Sequence, residues 1–517
     1  MADGVEHTGL SRRRFLGGGG AAAGALALGA GRWATGASAA PSSSLTHSVP
    51  WVPTLDPVAG AVPSESQMFG WIQQVVAQGI RRPGYPAAEW AEQFAAQRFT
   101  ELGLQDVRLE PITVDRWEPT EWSLDVLRPG AATVRLESFP VPFSPPVEHL
   151  EVDIAQYNPV LPGPVRGKAS LVENLLLRIP ANLMMLLGTS PPLPTQNRFH
   201  DPDGQLLLPV TIPFGLKFGE VLEPSARAGA AAFIGSLASY PGDSYQYYVP
   251  YVGGTGPLPG VWVRGSAGVW LRTQALLGAK VRLRVRSTNV PVTSHNVVGE
   301  LPGPAGGSGD DHVIIGSHSD GPWASAVEDG SGIALVLAQA AYWSQVPPSE
   351  RPHRLKFLLH GGHMSGGAGL HSYIADHRSE LDRAVLELHL EHAAREFDLG
   401  LNNSGVAATG RPVPRWWFTS RIPRLEAAVY DALVAEDVRR SMILVPDAFG
   451  PEPPTDGGFY HHEGVPIVNF LSAPFYLFDA MDTIDKVDRS ALVPLTRAAI
   501  RIVESTRGIT AAQMRSA

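Results

Sequence analysis

The 517-residue sequence contains no cysteine. This excludes thiol nucleophiles, cysteine-ligated zinc, iron–sulfur clusters and disulfide staples, and any metal must be held by His, Asp and Glu. Charge of one sign is in only slight excess: 41 Lys and Arg stand against 50 Asp and Glu, a net charge of −9. That balance offers no electrostatic attraction to nucleic acid or to an anionic membrane surface. Long apolar runs are missing as well. The Gly/Ala stretch from Gly17 to Gly31 is too short and too weakly hydrophobic for a stable membrane span, which needs about 20 strongly apolar residues. What is plentiful is loop-forming, with 54 Gly and 46 Pro. Hydrophobic residues at 44% and charged residues at 18% are globular values, and at about 100 to 200 residues per domain the length allows two to four domains.

The N-terminus reads as an address. Ser11-Arg12-Arg13-Arg14-Phe15-Leu16 precedes the Gly/Ala run, and Ala37-Ser38-Ala39 has the small-x-small shape of a cleavage site. The segment resembles a twin-arginine export signal over residues 1–39, followed by a Ser/Pro-rich linker over 40–62. The expected location is extracellular or periplasmic.

Two helices are expected next. One carries Met68, Trp71, Ile72, Val75 and Val76 at helical spacing and ends at Gly79; the other runs from about Ala87 to Leu102 and stops at Gly103. A short strand is expected around Val107 to Leu109. From about Thr120 to Pro291 short β-like runs are split by Pro and Gly, including Ala169 to Val172, Ala231 to Ile234, Gly260 to Val263 and Val281 to Val285. After Thr293 strands alternate with helices: Val313 to Gly316, helix Ser331 to Trp343, Leu355 to Leu359, Ala384 to Leu390, helix Arg424 to Asp437, Ile467 to Phe470 and helix Ser490 to Ser505. The expected fold class is α/β: a mainly parallel mixed sheet sandwiched by helices, with sites at the C-terminal strand ends and a β-rich module inserted. The expected domains are 63–117 with 293–510, interrupted by an insert over 118–292, and a tail over 511–517.

Polar residues just past buried strands are the site candidates. They are Gly316-Ser317-His318-Ser319-Asp320 with Val327-Glu328-Asp329-Gly330-Ser331-Gly332, then His360-Gly361-Gly362-His363-Met364-Ser365-Gly366-Gly367, then Glu391-His392, and Thr455-Asp456 with His461-His462. Here the sequence resembles the zinc exopeptidase family of bacterial leucyl aminopeptidase, aminopeptidase Y, glutamate carboxypeptidase II and glutaminyl cyclase. The entry stretch Ser294 to Gly303, the Gly-x-His-x-Asp of Gly316 to Asp320, the acidic pair before Ser331-Gly332, Glu463-Gly464-Val465-Pro466 and the closing Asp482 to Asp488 all match. The insert is similar to a protease-associated domain at Gly167-Lys168-Ala169 and Ala226 to Ile234.

The resemblance implies metal ligands at His318, Glu328 and Glu391, with Asp320 orienting the first imidazole. It also exposes departures. Glu328 stands where the family has a bridging Asp, His363 and Met364 replace the base and a ligand Glu, and Phe478 replaces a final His. One divalent metal at most, zinc, is therefore expected, with His363 as base. His360, His392, His461 and His462 are spare imidazoles. The expected function is an exported metallopeptidase or amidohydrolase acting on a peptide or related amide substrate; the alternative is an inactive member that binds a peptide or polymer. Ser365 offers a weak match to a nucleophile elbow. Trp416-Trp417 reads as core or pocket wall, and the four tyrosines of Tyr245 to Tyr251 read as an exposed loop.

Overall fold

The computed structural model describes residues 56–516 apart from 59, 159–162, 184–198, 213–221, 306–310 and 400–404. The export signal and most of the linker lie outside the described residues. A fifteen-stranded sheet runs through the described residues. Its longer strands are β1 (Gln105–Leu127), β2 (Val147–Gln156), β3 (Ala169–Leu175), β4 (Ala232–Ala238), β5 (Gly260–Val263), β6 (Lys280–Leu301), β7 (His312–His318), β8 (Arg354–His360), β9 (Ala384–Leu390), β10 (Arg415–Thr419), β11 (Ser441–Leu444) and β12 (Ile467–Ser472). Their order is β5-β4-β3-β2-β6-β8-β7-β9-β12-β10-β11, with β1 paired to β6.

Strands β8, β7, β9 and β12 are parallel neighbours, and β2 to β5 form a second parallel group. The mainly parallel sheet between helices is therefore the fold class read from the strand–helix alternation. Side chains alternate across the sheet as a period of two requires. Val313 and Ile315 of β7 join the layer beneath helix α4 (Gly332–Gln345), and Ile314 joins the opposite layer with Leu358, Tyr373 and Tyr460.

Helix α1 (Glu65–Val76) begins where Ser64 Oγ accepts the Gln67 N–H at 3.2 Å and buries Met68, Trp71, Ile72 and Val75. Helix α2 (Pro86–Glu101) opens on a proline in its first turn. Both match the stretches expected from their apolar spacing.

The short strand expected near Val107 is instead the whole of β1. It pairs antiparallel with β6 from Gln105↔Glu300 to Leu127↔Lys280. Pro111, Pro119 and Pro291 interrupt the sequence pattern of this ribbon without ending it, because Pro costs only its own N–H in a ladder. The ribbon carries the chain out from the body to residues 128–279, called the insert below, and back. The expected tail is a structural element too. Ala511–Arg515 forms a short helix with a Thr510/Gln513 capping box, and Arg515 donates to the carbonyls of Leu381, Asp382 and Gly464.

Insert and body meet around Arg82. Its guanidinium is buried within 4.7 Å of the Tyr248 and Trp323 ring centroids and 5.6 to 5.8 Å of those of Phe139, Trp117 and Tyr85. Its Nε donates to Pro322 O at 2.9 Å. The tyrosine segment expected to be exposed closes this contact: Tyr247 and Tyr248 are buried, and Tyr245 and Tyr251 are half-buried.

A buried cation held by several aromatic faces is worth about 2 kcal/mol or more. Arg82→Ala should lower unfolding free energy in urea by about 2–4 kcal/mol, because it also leaves a buried carbonyl unpaired. Arg135→Ala, which breaks an exposed pair with Asp125, should cost much less. Equal losses would show that the ring cage adds nothing.

Candidate metal centre

His318 is the last residue of β7 and is fully buried. Its Nδ1 lies 3.0 Å from the Asp320 carbonyl, which fixes the ring and turns Nε2 toward Glu328 Oε1 at 3.4 Å and Asp329 Oδ2 at 4.0 Å. The Asp320 carboxylate does something different from the expected orienting role. It accepts the backbone N–H groups of His363 at 3.0 Å and Met364 at 2.7 Å, tying the turn after β8 to the end of β7.

Glu328 is the hub. Its carboxylate is 1% exposed and meets His392 Nε2 at 2.6 Å, His318 Nε2 at 3.4 Å and His363 Nε2 at 3.8 Å. The loop that carries it is clamped from both sides. Arg81, fully buried, donates to the carbonyls of Ser319, Ala324, Ser325 and Glu328. Asp482, in the closing motif, accepts the Val327 and Glu328 N–H groups at 2.9 to 3.1 Å.

His392, one of the spare imidazoles, is brought fully into the site. Its Nδ1 lies 2.8 Å from Ser472 O, leaving Nε2 for the cluster. Glu391 sits at the edge: Oε2 is 3.7 Å from His392 Nε2 and Oε1 is 3.0 Å from His389 Nε2. His363 stacks on His318 with ring centroids 4.2 Å apart, and its Nδ1 is paired with Asp456. Arg81 is absent from the sequence-read candidates; Asp329 and Asp456 stand within the candidate stretches Val327 to Gly332 and Thr455-Asp456 but carry no individual role there.

The remaining candidates stay apart. His360 is buried against Tyr460 Oη at 3.2 Å, and burial pushes its pKa down to about 3, so it is a neutral core residue. His462 pairs with Glu452 at the surface and His461 is half-buried beside it. Ser365 Oγ accepts the Asp115 N–H at 3.0 Å, which engages it with β1. Met364 is fully buried, and the Phe478 ring lies 5.2 Å from Tyr251, whose own ring is 5.1 Å from His363. Trp416 and Trp417 are core residues.

Two sets of three groups converge closely enough to hold an ion: His318 with Asp329 and His392, and His318 with Glu328 and His363. Both share His318, so they describe one centre. Buried polar atoms in folded proteins are hydrogen-bonded, yet His318 Nε2, His392 Nε2 and both Glu328 oxygens have only the charged groups of this cluster to face, at 2.6 to 3.8 Å. Imidazole nitrogens and carboxylate oxygens facing one another in this way fit a divalent cation.

Without a cation, protons take its place. Burial alone would lower the imidazole pKa values, but Asp456 raises His363 to about 10 and Glu328 raises His392 to about 10. His318 is raised by Asp329 and Glu328 against burial and the neighbouring His363. Burial favours the neutral form of Glu328, yet the surrounding imidazoles hold its pKa well below the usual range. Burial pushes Asp329 up to about 6 and Asp482 up to about 7.

No protein-family model matches the sequence, and no curated protein matches it. Solved structures do. An aminopeptidase from Aneurinibacillus sp. strain AM-1 is 19% identical, over 85% of this chain and 93% of that one, with a TM-score of 0.58. A peptidase M28 precursor from Shewanella amazonensis SB2B is 18% identical over 86% and 94%, with a TM-score of 0.64. BSAP, a zinc aminopeptidase from Bacillus subtilis, is 16% identical over 86% and 95%, with a TM-score of 0.58. The chain shares the fold of these aminopeptidases.

A cation must displace the protons on His318 and His392, so metal affinity should rise steeply between pH 6 and 9 and binding should release protons. Titration calorimetry in two buffers of different ionisation enthalpy measures this. The metal-free protein should also lose stability as pH rises from about 6.5, the free imidazole value, through about 10, because the raised imidazoles stabilise only while protonated. A flat metal affinity across this range would contradict the ligand assignment.

Proposed function

We propose that the chain is an exported hydrolase that uses one divalent metal, zinc by the character of its donors, to cleave a peptide or related amide bond. The observation that carries this reading is the convergence of buried imidazole and carboxylate atoms on one another at the C-terminal strand ends, where open α/β sheets place their ligands. The shared fold of the aminopeptidases supports the reaction class.

His318, Asp329 and His392 would hold the ion, with Glu328 facing both imidazoles and Glu391 at the edge. A metal bound there would polarise the scissile carbonyl and make water a nucleophile near neutral pH. His363 is placed to move protons. It is the most exposed imidazole of the cluster at 9%, Asp456 fixes its Nδ1, and its Nε2 faces Glu328. With the ion's charge in place of the protons, Nε2 can accept a proton from water and return it to the leaving nitrogen.

Met364 and Phe478 are apolar where a second metal would need ligands, and Tyr251 lies over Phe478. Met364 and Phe478 give a free α-ammonium group no ligand of their own, so the proposed substrate class extends to amides whose amino side is blocked.

Protein purified without chelator should carry about one zinc per chain by plasma mass spectrometry, and His318→Ala should lose both metal and turnover. His363→Ala should keep the metal and lose about 10²–10⁴ in kcat. A folded protein without metal would leave the alternative of a peptide- or polymer-binding protein. In a panel of matched amides, N-blocked substrates should be cleaved at least as fast as free-amine ones; a strict free-amine requirement would refute the substrate assignment.

A further inference from the structure

Strand β9 has a pattern that its surroundings do not call for. Leu386, Leu388 and Leu390 enter the core layer beneath α4, and the alternating positions Glu387, His389 and Glu391 enter the opposite layer. That opposite face is buried as well: Glu387 and His389 are 0% exposed and Glu391 is 2% exposed. The rest of this layer has an apolar centre of Val298, Ile314, Leu358 and Ile467, with the buried polar residues Lys356 and His360 on the neighbouring strand β8. Three consecutive ionisable groups on the inner face of a central strand are expensive unless each is paired.

They are paired in a line. Asn469 Nδ2 donates to Glu387 Oε2 at 2.7 Å, Glu387 Oε1 lies 2.9 Å from His389 Nδ1, and His389 Nε2 lies 3.0 Å from Glu391 Oε1. The neighbouring backbone is cut to admit this ring. A Cβ on Gly457 would lie 2.6 Å from His389 Cβ and from Asn469 Nδ2, and a Cβ on Gly316, beside His389 in the β7–β9 ladder, would lie 3.3 Å from its Nδ1. The line has one outlet. Glu391 is its last member, and the other oxygen of Glu391 faces His392 Nε2, which contacts Glu328. Strand β12 supports both ends, through Asn469 under Glu387 and through the Ser472 carbonyl that orients His392.

We infer that His389 is a positioning residue for the metal centre: braced by Glu387 and Asn469, it fixes the Glu391 carboxylate and through it the His392 face of the cation site. The inference rests on the reading of the cluster as a divalent-metal centre and adds a supporting shell to it. Outer hydrogen-bond partners of this kind set metal affinity by about 10- to 100-fold.

The test uses the full chain with zinc ion as probe, in competition with a chromophoric chelator, and cobalt(II) as a spectroscopic substitute. His389→Leu, which fills the space without holding Glu391, should weaken zinc binding about 10- to 100-fold and shift the visible bands of the cobalt form. His389→Gln, which keeps a donor toward Glu391, should recover most of that loss. In Glu391→Ala the further change His389→Leu should add no loss, since its effect passes through Glu391. Glu387→Gln, at the far end of the line, provides the same readout should His389→Leu not fold, with weaker zinc binding expected.

Folded variants at His389 or Glu387 that bind zinc as tightly as the wild type, with an unchanged cobalt spectrum, would overturn the inference while leaving the metal centre intact. A wild-type chain that binds no zinc would overturn the metal centre itself.

Discussion

Everything in this site hangs on one buried carboxylate. Glu328 is closed off from water and has three imidazole Nε2 atoms within 2.6 to 3.8 Å, an arrangement whose charge must be balanced on the spot. A cation or a set of protons can do so, and the same geometry serves both. The loop that carries Glu328 cannot relax out of the way, because Arg81 grips its carbonyls and Asp482 grips its N–H groups. Rigid support on both faces of a loop is how a fold keeps like ligands converging in spite of their mutual cost.

The body of the fold was legible because its strands are short, apolar and bounded by loops. Strand β9 coincides with the expected Ala384 to Leu390, and α2, α4 and α7 (Arg489–Glu504) lie within a residue or two of expectation. Strands β10 and β11 escaped because aromatic pairs and a four-residue run carry no periodic signal. The long ribbon escaped because its prolines read as breaks, and the tyrosine segment was misread because a run of Tyr, Pro and Gly resembles a surface loop until it has something to cover. In the site, His318, Glu328 and His363 were found where strand ends placed them. His392 was only a spare imidazole, since its role depends on the Ser472 carbonyl eighty positions further along the chain. Arg81 was missed, and Asp456 was a candidate without a role, for the same reason: their partners are distant in sequence, and no local spacing announces them. The Glu-Leu-His-Leu-Glu alternation of β9 has the period of a half-exposed strand, and only the structure shows that both faces are covered.

Aromatic and sulfur-containing side chains take up the ground beside the cluster. Met364, Phe478 and Tyr251 present no second group of ligands, and Tyr251 comes from the insert. The insert therefore forms part of the wall of the site. Backbone contacts confirm how closely it is applied: Gly366 N donates to Tyr251 O at 2.8 Å, Tyr248 N to Phe478 O at 2.9 Å, and Gly254 N to Asp115 Oδ2 at 2.7 Å.

The ribbon of β1 and β6 shows how a long ladder carries irregularity. Its pairing runs from Gln105↔Glu300 to Leu127↔Lys280 and shifts twice, between Gln105 and Arg108 and between Pro119 and Glu121. A one-residue slip turns every side chain beyond it to the opposite face unless a bulge takes it up, and these two places are where the ribbon takes it up. A change of one residue in length that falls at either bulge therefore leaves the far half of the ribbon facing as it does now.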